Sequence, residues 1–171
     1  VAGQYLVEQA SAQAEELGAR IIGMSITATS GTFLLTDLSG APLTHAAMYN
    51  DGRAGSPLAR AEMMCAEIGS GETLLVHVPE YVISHLTRTP LKSVSTDWSH
   101  AMKTGIELAK GDWKSAIQAT AQSLQIHLPS VLAPGSKLGA CTVGGIPIYA
   151  GMTDGCTAQI SAGGSTVGSA V

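Results

Sequence analysis

The segment from Arg20 to Tyr49 constrains the fold most, because it crowds extended stretches together with no room for a helix between them. Arg20-Ile-Ile-Gly-Met-Ser-Ile-Thr27 reads as a strand and Thr32-Phe-Leu-Leu-Thr36 as the next, with Thr29-Ser30-Gly31 as the link. Asp37-Leu-Ser-Gly40 makes another turn into a third extended stretch through Pro42 to Tyr49. Parallel neighbours need a long crossover, so short links predict a meander rather than a βαβ unit.

Helical patterns flank this block. Leu6, Val7, Ala10, Ala14 and Leu17 recur at helical spacing over Gln4–Leu17, leaving Glu8, Glu15 and Glu16 for solvent, and Gly18 is the stop signal. Ser56 before Pro57 is an N-cap with proline at the first helical position, opening a helix to about Ala66. Further helices are predicted over Glu72–Leu86, with Pro79 as a kink, over Trp98–Leu108, over Trp113–Leu124, and over Thr157–Ala162. Short strands are expected at Leu138–Thr142 and Pro147–Ala150.

Composition narrows the function classes. Hydrophobic residues make up 45% and aromatics only 4%, with 20 glycines, so the core must be aliphatic. The formal charge of −4, without a basic stripe, speaks against nucleic acid as a partner. No apolar run is long enough to span a bilayer, which speaks against a membrane. Cys65, Cys141 and Cys156 form no CxxC pair and read as reduced thiols of a cytoplasmic protein. There is no GxxxxGK[ST] loop, no GxGxxG after a strand, no HExxH and no GxSxG. His45, His77, His85, His100 and His127 lack metal-ligand spacing and read as structural.

Three polar segments stand out. Thr27-Ala-Thr-Ser-Gly-Thr32 is a hydroxyl-rich turn, suited to a polyol or phosphate and equally to an ordinary turn. Tyr49-Asn-Asp-Gly-Arg53 holds the only asparagine of the chain; Asp51 and Arg53 supply an acceptor and a fork of donors, although Asn-Asp-Gly is also a common turn. In Tyr149-Ala-Gly-Met-Thr-Asp-Gly155, Asp154 ends a strand between glycines, where α/β sites place chemistry; it would also serve as a simple helix N-cap.

In order and spacing these segments resemble FGGY-family carbohydrate kinases, especially the ribulokinase and xylulokinase branch. The hydroxyl turn, the D-x-x-G at Asp37–Gly40 and the Y-N-D-x-R-A beginning at Tyr49 are similar to the family's amino-terminal lobe. Ser95-Thr-Asp-Trp-Ser-His-Ala-Met-Lys-Thr-Gly105 resembles its D-x-x-x-A-x-K-x-G stretch, and Leu128-Pro-Ser-Val-Leu-Ala-Pro-Gly-Ser-Lys-Leu-Gly139 its L-P-x-V-x-x-P-G-x-x-x-G segment. The G-x-T-D-G at 151–155 is similar to the family's catalytic turn.

The resemblance implies an α/β fold, a ribonuclease-H-like lobe of the actin and sugar-kinase type with a mixed β-sheet flanked by helices. Residues 1–171 would then form the amino-terminal sugar-binding lobe. It implies phosphorylation of a ketopentose such as ribulose or xylulose by Mg-ATP, with Asp154 as general base. Thr29, Ser30, Asn50, Asp51, Arg53, Thr153 and Gly155 would bind the sugar. Mg²⁺ would arrive with ATP and lie near Asp154, and a homodimer is one possible assembly. The family's opening D-x-G-T-x-S strand has no counterpart here, Cys65–His77 is shorter than expected, and no second lobe follows, so the lobe is expected to be incomplete and inactive alone. The alternatives are a non-catalytic sugar-binding module on the same fold and a different actin-like ATPase.

Overall fold

The computed structural model describes residues 2–53, 55–164, 166 and 168. Two small three-stranded sheets organise it. In one, β2 (Phe33–Thr36) lies antiparallel to β3 (Thr73–His77), and β3 runs parallel to β7 (Ile126–His127). In the other, β10 (Pro147–Tyr149) is central, parallel to β1 (Met24–Ser25) and antiparallel to β9 (Lys137–Ala140). Two ribbons complete the strands: β4 (Thr96–Asp97) parallel to β8 (Val131–Leu132), and β5 (Ile106–Glu107) antiparallel to β6 (Asp112–Trp113).

The helices cover these sheets. α2 (Pro57–Ile68) and α5 (Ser115–Ser123) pack Ala61, Met64 and Ala121 against Phe33, Leu35 and Leu75. α1 (Ala2–Glu16) and α3 (Val78–Thr87) pack Val7, Ile83 and Leu86 against Ile148 and Ile146. Each fully buried aliphatic side chain of this kind contributes roughly 1.5–3 kcal/mol of transfer free energy. α4 (Trp98–Ala101) and α6 (Asp154–Ser161) are short, and both begin at the candidate site.

Half of the meander forms. β1 pairs with β10, not β2, but the Pro42–Tyr49 stretch lies antiparallel to β2, through bridges at Phe33–Ala47 and Thr36–Pro42 and hydrogen bonds from the Leu43 N–H to the Leu35 carbonyl at 2.9 Å and from the Leu35 N–H to Thr44 Oγ1 at 3.1 Å. The apolar run at 73–77 is a buried strand rather than helix; Pro79 lies in the first turn of α3, where its missing N–H costs nothing. Glu80 accepts from the His77 backbone N–H at 2.5 Å and lies 3.0 Å from its ring Nδ1, which fixes the strand-to-helix corner. The helix predicted over Trp98–Leu108 stops at Ala101, because Gly105 sits at φ +129° and β5 begins directly after it. Trp113 belongs to β6, and α5 starts two residues later.

Helix α1 forms as expected but faces differently. Val7 is its buried residue, while Leu6 and Leu17 are 64% and 83% exposed. Ser56 caps α2, its Oγ accepting the Ala59 N–H at 3.1 Å. His77 and His100 are buried with both ring nitrogens engaged, as the structural reading expected.

Candidate functional site

Three chain segments supply most of the wall of a cavity of about 620 Å³, and Tyr49 completes it. They are the hydroxyl turn after β1, α4 with the residues just past it, and the link from β10 into α6. Thr29, Ser30, Thr153, Asp154 and Gly155 all line it, so five of the eight expected site residues are brought together.

Asp154 is the first residue of α6, with Thr153 at the N-cap position. Its Oδ1 accepts the Gly155 N–H at 2.7 Å, and Oδ2 has no hydrogen-bond partner among the described residues. A carboxylate here is favoured by the helix N-terminus, where unpaired N–H groups point outward. The N-cap reading of Asp154 is one residue off, since the helix begins at Asp154 itself.

Below the cavity, each segment is tied to α4. Asp97 caps that helix through Oδ1, accepting the Ser99 and His100 N–H groups at 2.9 and 3.0 Å. Its Oδ2 lies 2.6 Å from His100 Nδ1. Ser99 Oγ accepts the Thr153 N–H at 2.8 Å, and Ser30 Oγ donates to the Ser99 carbonyl at 3.1 Å. Ala28 is held at both ends: its N–H donates to His100 Nε2, and its carbonyl accepts the Asp154 N–H, each at 3.1 Å. Glycine is required at two points of close approach. Gly31 has φ +78° with Lys103 Cβ 3.1 Å from where its own Cβ would stand, and a Cβ on Gly151 would meet the Ile26 carbonyl at 3.0 Å.

Asn50, Asp51 and Arg53 do not line the cavity. Tyr49, just before them, does, and its N–H donates to Thr32 Oγ1 at 3.1 Å, which joins this loop to the hydroxyl turn. Asp51 and Arg53 are spent on each other: Arg53 Nε donates to both carboxylate oxygens at 3.0 Å and Nη2 to Oδ2 at 2.6 Å. The Arg53 side chain, and then its backbone N–H, pull the Asp51 carboxyl down from 3.8 to about 2. The loop turns at Tyr49 and Asn50, where the Asp51 N–H donates to the Met48 carbonyl at 2.9 Å, and the Arg53 N–H donates to Asp51 Oδ1 at 3.0 Å.

Sequence reasoning left Ser99, Lys103 and Gln159, which also line the cavity, without a role. Lys103 Nζ stands 5.7 Å from the Tyr49 ring centre, a cation–π contact on the cavity wall. Asp97 was also unassigned, and His100 was read only as structural; the signal that joins them is their i,i+3 spacing at a helix start, which lets one carboxylate both cap the helix and hold the ring.

No group of three His, Cys, Asp or Glu side chains able to hold an ion occurs among the described residues, and Asp154 is the one carboxylate lining the cavity. Such a site fits Mg²⁺ only as an ion carried on phosphate oxygens, since Mg²⁺ keeps its waters and accepts one or two carboxylates beside a phosphate.

This arrangement of small mixed sheets flanked by helices is the fold of the sugar kinases, as the α/β expectation held. The xylulose kinase of Rhodospirillum rubrum superposes with a TM-score of 0.70 at 20% identity, over 94% of this chain and 41% of that one. A ligand-bound xylulose kinase from Lactobacillus acidophilus gives 0.63 at 16% identity, over 90% and 38%. A gluconate kinase from the same organism gives 0.62 at 16% identity, over 85% and 37%. The chain thus spans about two-fifths of the length of the structures it matches. No family model and no curated protein sequence matches it.

Proposed function

We propose that the chain is the sugar-binding lobe of an ATP-dependent carbohydrate kinase, with a ketopentose such as ribulose or xylulose as substrate. The observation that carries this reading is the Asp154 carboxylate. It stands at a helix N-terminus on a cavity whose wall includes Thr29, Ser30, Ser99 and Thr153, inside a sugar-kinase fold.

In this reading Asp154 Oδ2 takes the proton of the attacking sugar hydroxyl, while Oδ1 stays anchored on the Gly155 N–H. Ser30 spends its proton on the Ser99 carbonyl and so offers acceptor lone pairs to a sugar hydroxyl. Thr29 shares its hydroxyl with Thr32 at 3.0 Å and presents the remaining valence to the cavity. Thr153 and Gly155 hold the turn, and Asn50, Asp51 and Arg53 form the rim loop that a sugar would meet from outside. Mg²⁺ and ATP, when bound, supply the phosphoryl group and neutralise its oxygens, with Asp154 as the nearby carboxylate. The nucleotide itself is assigned to a second lobe, and the protein to the cytoplasm.

The test is sugar-dependent ADP release by the complete gene product, with Mg²⁺ present, across ketoses and polyols. Release with one or a few pentuloses supports the kinase. A folded, ATP-binding protein with no turnover on any sugar moves the reading to a non-catalytic sugar-binding module.

A further inference from the structure

We propose that His100, fixed in one neutral tautomer by Asp97, is the positioning residue that sets Asp154 in place; this rests on the kinase reading above. His100 is 0% exposed and Asp97 3%. The Ala28 N–H donates to His100 Nε2, so that nitrogen carries no proton. The proton therefore sits on Nδ1, where Asp97 Oδ2 accepts it at 2.6 Å. Asp97 cannot rotate away, because its Oδ1 caps α4 through two backbone N–H groups.

The constraint then passes through Ala28. With its N–H held by the ring, its carbonyl is aimed at the Asp154 N–H, 3.1 Å away. Ser99, on the same helix turn, holds the preceding N–H, that of Thr153. Both backbone anchors of the catalytic turn thus lead back to the helix start that Asp97 organises. A shift of about 1 Å in a reacting group costs on the order of a hundredfold in rate, so a hydrogen bond this close to the carboxylate governs turnover rather than stability alone.

His77 supplies the matched control. It is equally buried and also pairs with an acid three residues away, but its Nε2 contacts Thr104 rather than the site.

The variants His100→Gln and His100→Asn separate the two ring contacts. Glutamine places an acceptor where Nε2 stands and keeps the Ala28 contact. Asparagine places a donor where Nδ1 stands, keeps the Asp97 contact and leaves the Ala28 N–H unpartnered. In the complete protein, with D-xylulose and D-ribulose as probes, H100N is expected to lose about a hundredfold in kcat with KM changed only a few-fold. H100Q should stay within about tenfold of the parent, and His77→Gln should lower Tm without this kcat loss. In the parent, ¹⁵N spectra should show His100 Nε2 unprotonated. A protonated Nε2, or equal kcat losses in H100Q and H100N that follow Tm, would overturn the proposal. A parent protein without turnover contradicts the kinase reading instead. The Asp154 amide shift then decides the positioning, which is sunk if that shift is the same in H100N as in the parent.

Discussion

Removing the Asp97 carboxylate should destabilise the chain far more than removing an equally hydrogen-bonded carboxylate at its surface. Asp97 accepts from Ser99 N–H, His100 N–H and His100 Nδ1 at 2.9, 3.0 and 2.6 Å, in a site closed to water. Losing an N-cap costs about 0.5–2 kcal/mol. A buried donor left unsatisfied, here His100 Nδ1–H, costs about 1–3 kcal/mol more. Asp97→Ala should therefore cost about 1.5–5 kcal/mol of a total near 5–15. Asp37 also accepts three hydrogen bonds, from Ser39 N–H, Ser39 Oγ and Ala41 N–H at 2.8, 2.6 and 2.9 Å, but in an exposed turn. Water replaces its carboxylate there, and Asp37→Ala should cost less than about 1 kcal/mol. Urea unfolding of both variants, compared at unchanged m, reads the difference. If the two variants lie within about 0.5 kcal/mol of each other, the burial argument for the Asp97–His100 pair is wrong.

Other consequences follow from single contacts. Asp51 has its pKa lowered from 3.8 to about 2 by Arg53, so the pair supports the fold above the unfolded value and is lost as pH falls through about 2. A ¹³C carboxyl titration should find that midpoint, and Arg53→Ala should raise it towards 3.8; a parent midpoint already at 3.8 contradicts the ion pair. Gly105→Ala should destabilise by roughly 1–3 kcal/mol, because φ is +129° and the new Cβ would lie 2.8 Å from Ile117 Cγ1. Gly52→Ala, with nothing within 4 Å, should be near neutral in the same unfolding assay. Leu35→Ala removes a side chain with 0% exposure from the β2–β3 core and should cost roughly 2–5 kcal/mol, against under 0.5 or so for the exposed Leu17→Ala.

Much of the local structure was legible because its signals are local. Ser56-Pro57 announces a helix start through one hydroxyl and one missing donor, and α2 begins there. Phe33–Thr36 and Pro147–Tyr149 are strands as read. Pairing was not legible: Met24 lies beside Ile148, and no local pattern near Met24 names so distant a partner. Thr73–His77 was lost to the ambiguity of a short apolar run, and Pro79 was read as a kink when it marks a beginning. At the site, the two turns that line the cavity stood out by residue type. The Asp97–His100 support beneath them did not, because a capping carboxylate and a structural histidine gain meaning only when Ala28 and Thr153 arrive from elsewhere in the chain.

The most direct measurement is turnover of Asp154→Asn in the complete protein, beside calorimetric binding of the sugar that the parent phosphorylates. Loss of the base should lower kcat by at least about a hundredfold while the sugar still binds, because Thr29 and Ser30 stay in place. Normal sugar-dependent ADP release from that variant would contradict the assignment of Asp154 as the general base.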